Sequence, residues 1–118
     1  MNDLITIGLL IDFYGQLLTA RQYEILDLYY NNDYSLGEIS EQLEISRQGV
    51  HDNIKRAKAA LLDFEQKLGL VGKFTRNKSK AQEILDYIND IDIEDLRENN
   101  KQNILKIKNA VILIINDD

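Results

Sequence analysis

Arg47, Gln48, His51, Lys55, Arg56 and Lys58 fall within twelve positions of the chain, and their side chains suit one kind of chemistry. Arginine can bridge two guanine acceptors, glutamine can pair with adenine, and lysine or arginine can neutralise phosphate. Stepping 100° per residue, Val50, Ile54, Ala57 and Leu61 fall on one side of a helix. Gln48, Asp52, Lys55 and Ala59 fall opposite them, with His51 and Arg56 on the two shoulders. The six residues therefore form a candidate DNA-binding set. Arg47 and Gln48 lie toward the bases, His51 beside them, and Lys55, Arg56 and Lys58 toward phosphate. Asp52 is acidic on this outward face. It can accept from a cytosine amine, pair with Lys55 or Arg56, or repel phosphate. Gly49 either lets the backbone approach a ligand or is simply tolerated in the first turn of a helix.

The elements that would position this set are two short helices and a tight turn, spanning SLGEISEQLEISRQGVHDNIKRAKAALL from Ser35 to Leu62. Ser35 is an N-cap and Glu38, three residues on, completes a capping box. Leu36, Ile39 and Leu43 recur on one face. Ser46 caps the second helix. Only Glu44 and Ile45 lie between the two, so the turn is sharp and Ile45 plugs it. This is the pattern of a helix-turn-helix, whose second helix enters the DNA major groove.

The remainder reads as helix throughout. Residues 2–14 form an apolar helix with Leu4, Ile5, Ile7, Leu9, Leu10, Ile11, Phe13 and Tyr14, ended by Gly15. Thr19 and Gln22 make a second capping box, opening a helix with Ile25, Leu26, Leu28 and Tyr29 inward. Asn31, Asn32 and Asp33 end it. The second helix of the pair runs to Gly69, and Gly69 and Gly72 flank a hinge. Ser79 caps a helix containing Ala81, Ile84, Leu85 and Ile88. Asp90 or Asp92 starts another with Ile104, Ile107, Val111 and Ile114 as its stripe and Leu105, Ile112 and Ile115 to its sides. That surplus packs on the first helix or on a second copy of the chain. The expected fold is all-α, with a helix-turn-helix domain over 1–70 and a helical extension over 71–118 for packing or dimerisation.

The chain has 118 residues, no cysteine and a net charge of −6. Disulfides, a thiol nucleophile and a zinc knuckle are excluded by composition. The apolar N-terminal run lacks a basic flank and is too short to span a membrane, so a cytoplasmic protein is expected. The charge is uneven. Residues 1–46 carry −7, residues 47–80 carry +6, and the rest carry −5. Phosphate responds to local potential, and the basic block begins where the second helix begins.

Catalysis has little support in the sequence. His51, with Asp52 and Lys55 beside it, is poorly placed as a tuned acid or base. Asp90, Asp92, Glu94 and Asp95 lack the glycine and terminal glutamate of a calcium loop. The segment GLVGK lacks phosphate-loop spacing and no strand precedes it. No enzyme activity, cofactor or metal is expected.

The segment LTARQYEILDLYYNNDYSLGEISEQLEISRQGVHDNIKRAKAAL, Leu18 to Leu62, resembles region 4 of bacterial sigma factors. The Leu-Thr entry, the Glu38–Ile39 pair and the Ser46–Arg47 start carry the likeness. The chain as a whole, with its LLIDFYGQLLT opening, resembles the YlxM family of small helix-turn-helix proteins of Gram-positive bacteria, encoded beside signal recognition particle genes. That resemblance implies a DNA-binding regulator linked to the signal recognition particle pathway. The competing expectation is a protein- or RNA-interaction module of that particle or the ribosome. Arg47 and Gln48 at the head of a groove-sized helix favour double-stranded DNA, because RNA duplexes hide their major groove.

Overall fold

The computed structural model describes residues 3–116, with side chains from Thr6 onward, and every regular element among them is helical. Six α-helices follow one another among these residues: α1 (Asp3–Tyr14), α2 (Ala20–Leu26), α3 (Leu36–Leu43), α4 (Arg47–Leu68), α5 (Leu70–Asn89) and α6 (Glu98–Asn116). Short 3-10 turns occupy Gly15–Leu17 and Ile93–Asp95. The all-α expectation holds. The expected start of the first helix at Asn2, and the side chains of Leu4 and Ile5, lie outside the described residues. The chain divides into two compact units, Met1–Val71 and Gly72–Asp118.

The first unit is built around one core. Ile7, Leu10, Ile11 and Tyr14 line one face of α1 at helical spacing and meet Ile25, Leu26, Ile39, Val50, Ile54, Ala57, Leu61 and Val71. Phe13, expected inside, is 37% exposed, so the buried face of α1 is narrower than its composition suggests. Leu61 is fully buried, and truncating it to alanine should cost about 2–5 kcal/mol.

Tyr29, expected inward, is 36% exposed, and Tyr30 packs against the core instead. The cause is a π-helical turn over Asp27–Asn31, in which the Asn32 N–H bonds the Asp27 carbonyl. One extra residue per turn rotates the phase, so Tyr30 takes the place a regular helix gives Tyr29. Asn32 and the left-handed Asp33 then turn the chain toward α3.

The expected hinge between Gly69 and Gly72 is a single residue. Gly69 caps α4 in the left-handed conformation with φ 63°, and α5 begins at the next residue with Gly72 inside it. Ser79 is therefore mid-helix rather than a cap. The first N–H groups of α5 find side-chain acceptors, one of them far away in sequence. Leu70 N–H donates to the Tyr14 hydroxyl at 3.0 Å, and Val71 N–H donates to Glu65 Oε1 at 3.0 Å. Tyr14 in turn donates to Glu65 Oε1 at 2.6 Å. Burial and the neighbouring Glu65 carboxylate push the Tyr14 phenol above its ordinary range.

In the second unit, α5 and α6 fold back on one another. Ala81 and Ile88 of α5 meet Val111 of α6, with Leu85, Ile104 and Ile115 around them. The packed stripe of α6 is thus Ile104, Val111 and Ile115. Ile107 and Ile114, expected to share it, are 48% and 51% exposed. Asp92 caps only the short 3-10 turn, accepting from the Glu94 N–H, and α6 starts later at Glu98.

Candidate nucleic-acid interface

The helix-turn-helix is assembled by its caps. The Ser35 hydroxyl accepts from the Glu38 N–H, and the Glu38 carboxylate accepts from the Ser35 N–H, both at 3.0 Å. These bonds to Ser35 hold the Glu38 carboxyl below the usual carboxylate range. Thr19 and Gln22 repeat the arrangement at the start of α2. The Ser46 hydroxyl accepts from the Gly49 N–H at 2.9 Å, opening α4. Between α3 and α4, Glu44 adopts the left-handed conformation with φ 57°. Ile45 packs against the core, and its carbonyl accepts from the Ser40 hydroxyl. The turn is as sharp as its two residues demand.

On α4 the apolar side is buried as expected: Val50, Ala57 and Leu61 are fully enclosed and Ile54 nearly so. The structure places the six singled-out residues as follows. Arg47, Gln48, His51, Lys55 and Arg56 are exposed, and Lys58 is half-buried with its ammonium 6.0 Å from the Tyr30 ring centroid. Gln48 Nε2 donates to Asp52 Oδ1 at 3.0 Å, and His51 Nδ1 lies 3.7 Å from the same oxygen. Asp52 thus organises Gln48 and His51. Arg56 Nε donates to the Asp52 backbone carbonyl at 3.4 Å.

Arg47, Lys55, Arg56 and Lys58 have no carboxylate within 4.0 Å among the described residues, although the chain holds 20 acids and 14 lysines and arginines. Arg21, Lys67, Lys80 and Lys101, by contrast, each pair with an acid. Arg47, Lys55, Arg56 and Lys58 of α4 therefore remain free for an outside anion. Below them a shallow groove is lined by His51, Ile54, Lys55, Lys58, Ala59 and Leu62.

Two residues join this site that the sequence reading did not include. A Cβ at Gly37 of α3 would lie 2.8 Å from Arg47 Nη2 and 3.2 Å from its Cζ. The guanidinium therefore rests on the bare backbone of the first helix. A glycine in the first turn of an otherwise well-capped helix is the one local signal of this, since alanine suits that position better. Asn53 Nδ2 donates to the Gly49 carbonyl at 2.8 Å, bracing the first turn of α4. Gly49 itself has a local role. A Cβ there would lie 3.1 Å from the Ser46 hydroxyl that caps the helix.

Among the described residues, no helix is long and apolar enough to cross a membrane, and no three His, Cys, Asp or Glu side chains converge on a metal position.

Comparison with known proteins agrees with this geometry. Residues 1–108 match the family UPF0122, described as "Putative helix-turn-helix protein, YlxM / p13 like". A UPF0122 protein of Acetivibrio thermocellus is 62% identical over 96 residues, covering 81% of this chain and 82% of that one. One from Thermoanaerobacter pseudethanolicus is 51% identical over 109 residues, covering 90% and 87%. One from Clostridium novyi is 39% identical over 115 residues, covering 98% and 100%.

Proposed function

The chain belongs to the UPF0122 family of YlxM- and p13-like helix-turn-helix proteins, and from that premise we propose that it is a cytoplasmic, non-catalytic regulator that binds double-stranded DNA through α4. The observation that carries the reading is the set of exposed or half-exposed cations Arg47, Lys55, Arg56 and Lys58, none paired with a carboxylate, on the second helix of the motif. In a chain of net charge −6, leaving four cations unneutralised on one helix concentrates positive potential where phosphate would lie. Arg47, at the first position of α4, stands where this motif meets base edges. Gln48 is oriented by Asp52 and keeps its carbonyl oxygen and one amide proton for a base. His51 flanks it, and Lys55, Arg56 and Lys58 serve phosphate. The likeness to sigma region 4 supports the same docking mode.

The test is fluorescence anisotropy with duplexes enriched from genomic fragments, beside signal recognition particle RNA, at one fixed salt concentration. Arg47→Ala should weaken the preferred duplex by about 1–3 kcal/mol and relax its specificity. Lys55→Ala should weaken all duplexes alike and reduce the salt slope by about 0.9. Binding of the RNA alone would transfer the assignment to the second reading, an interaction module of the signal recognition particle or ribosome. One feature favours that reading: Leu62, 54% exposed beside Ala59, extends α4 apolar beyond the turns a groove-reading helix uses.

The second unit supports pairing of two copies. Relative to their packed stripes, Ile84 of α5 and Ile107 and Ile114 of α6 turn to the same side of the hairpin, each 45–51% exposed. A face of two helices about 30 Å long and about 20 Å across offers about 600 Å² per copy, the lower end of stable interfaces. Such a homodimer would carry two recognition helices, suited to paired half-sites. Light scattering at micromolar concentration should give two chains, and Ile107→Asp with Ile114→Asp should give one. A wild-type mass of one chain refutes the pairing.

A further inference from the structure

α5 opens with a run that the helix-turn-helix does not use. From Leu70 to Gln82 there are four cations, Lys73, Arg76, Lys78 and Lys80, and no acid. Lys73, Arg76, Asn77 and Lys80 are spaced three, four and seven apart, so they lie on one side of the helix, and all are exposed. Lys80 has a partner in Glu83 at 3.4 Å, and the Lys78 ammonium sits 4.8 Å from the Phe74 ring centroid. Lys73 and Arg76 have no carboxylate within 4.0 Å among the described residues. Lys73, fourth in the helix, lies where the N-terminal dipole disfavours a cation, and Arg76, seventh, lies beyond its reach. α3 and α6 have acids, Glu38 and Glu98, in their first turns. α2, α4 and α5 have no acid in theirs.

We propose that the Lys73–Lys80 face of α5 is a second contact for the phosphodiester backbone of a nucleic acid. Arg76 supplies a fork of donors that fits two phosphate oxygens, Lys73 supplies a mobile point charge, and the Asn77 amide donates between them. None of these groups reads a base, so the contact adds affinity without sequence preference. The same phosphodiester chemistry comes from DNA or from RNA, and this face does not require α4 to read a groove.

The test uses the full chain carrying Lys73→Glu and Arg76→Glu, titrated with a duplex DNA and a duplex RNA of the same sequence between 50 and 200 mM salt, roughly the span over which phosphate contacts dominate affinity. A control with the same change of net charge carries Arg97→Glu, just before α6, and Lys106→Glu on it. For whichever nucleic acid this face serves, affinity should fall and the log–log salt slope should shrink by about 1.8, two contacts of about 0.9 each. The thermal midpoint should hold, because both side chains are exposed and neither is paired with a carboxylate. A loss of binding therefore cannot be assigned to unfolding. Unchanged affinity and slope would overturn the proposal, as would an equal loss in the α6 control. Arg47→Ala measured in parallel separates the two readings. If it has no effect while the α5 pair is sensitive, the groove-reading role fails and this one stands. If the wild-type chain binds neither duplex, both fail.

Discussion

Replacing Gly37 with alanine should make the protein more stable and a weaker DNA binder at once, a combination few other mechanisms produce. Gly37 is the second residue of α3, and glycine in a helix costs about 0.8–1.0 kcal/mol relative to alanine. Its backbone is ordinary right-handed helix, so alanine adopts it without strain, and most of that cost is the wider freedom glycine has in the unfolded chain. Against that stands contact with the Arg47 guanidinium, whose Nη2, Cζ and Nε would lie 2.8, 3.2 and 3.3 Å from the new methyl. Arg47 is exposed and unpaired, so its head group can swing away with little loss to the fold. Net stabilisation of about 0.5 kcal/mol, a few degrees in the melting midpoint, is expected. The displaced guanidinium should lose much of its contribution to a preferred duplex, about 1–3 kcal/mol or about 5- to 150-fold. Denaturant titration and anisotropy on the same preparation check both signs. In an Arg47→Ala background, Gly37→Ala should leave affinity where it was. Loss of stability in Gly37→Ala, or a further loss of binding on top of Arg47→Ala, would refute the seating of Arg47 on α3.

The caps give a second expectation: Ser35→Ala and Ser46→Ala should each destabilise by about 0.5–2 kcal/mol, whereas Ser79→Ala, mid-helix, should be close to neutral in the same denaturant titration. The Glu38 carboxyl titrates below its ordinary 4.5, so its stabilisation is present above that pH and is lost as pH falls through the depressed value. Glu38→Gln should flatten this acid limb. Tyr14 behaves in the opposite sense. Its phenol titrates above the ordinary 10.0, so its stabilisation is intact below that pH and is lost as pH rises through the higher value. Tyrosinate absorbance should show one late-titrating tyrosine that disappears in Tyr14→Phe, a variant also less stable at neutral pH. Retention of the late phase in Tyr14→Phe would reject the assignment.

What could be read from the sequence was what local rules govern. The capping boxes at Thr19 and Ser35, the cap at Ser46 and the buried stripe Val50–Ile54–Ala57–Leu61 each follow from residues at most a few turns apart. The misplacements came where distant groups decide. α5 starts at Leu70 because Tyr14 and Glu65 accept its first N–H groups, and Tyr14 is 56 positions from Leu70. No local cap marks that start, so Ser79 stood out instead. Tyr29 was misplaced by a π turn, whose extra residue leaves no compositional trace. In α6, isoleucines recur on several faces, and only the partner helix selects Ile104, Val111 and Ile115 over Ile107 and Ile114. At the candidate site the residue types were legible but their couplings were not. Asp52 orients Gln48, and Gly37 seats Arg47 across the turn.

Those couplings bear on how an acidic chain presents a basic surface. Several acids are held in local work: Glu38 in a capping box, Glu65 on Tyr14 and Val71, Asp52 on Gln48, Asp63 on Lys67. Carboxylates tied to these donors keep their charge but make no ion pair with Arg47, Lys55 or Arg56. With a screening length of about 8 Å at physiological salt, acids elsewhere on the molecule act only weakly on those side chains. The net charge of −6 is then a poor guide to what the α4 surface attracts. Salt should weaken nucleic-acid binding according to the number of phosphates these cations meet, not according to the charge of the whole chain.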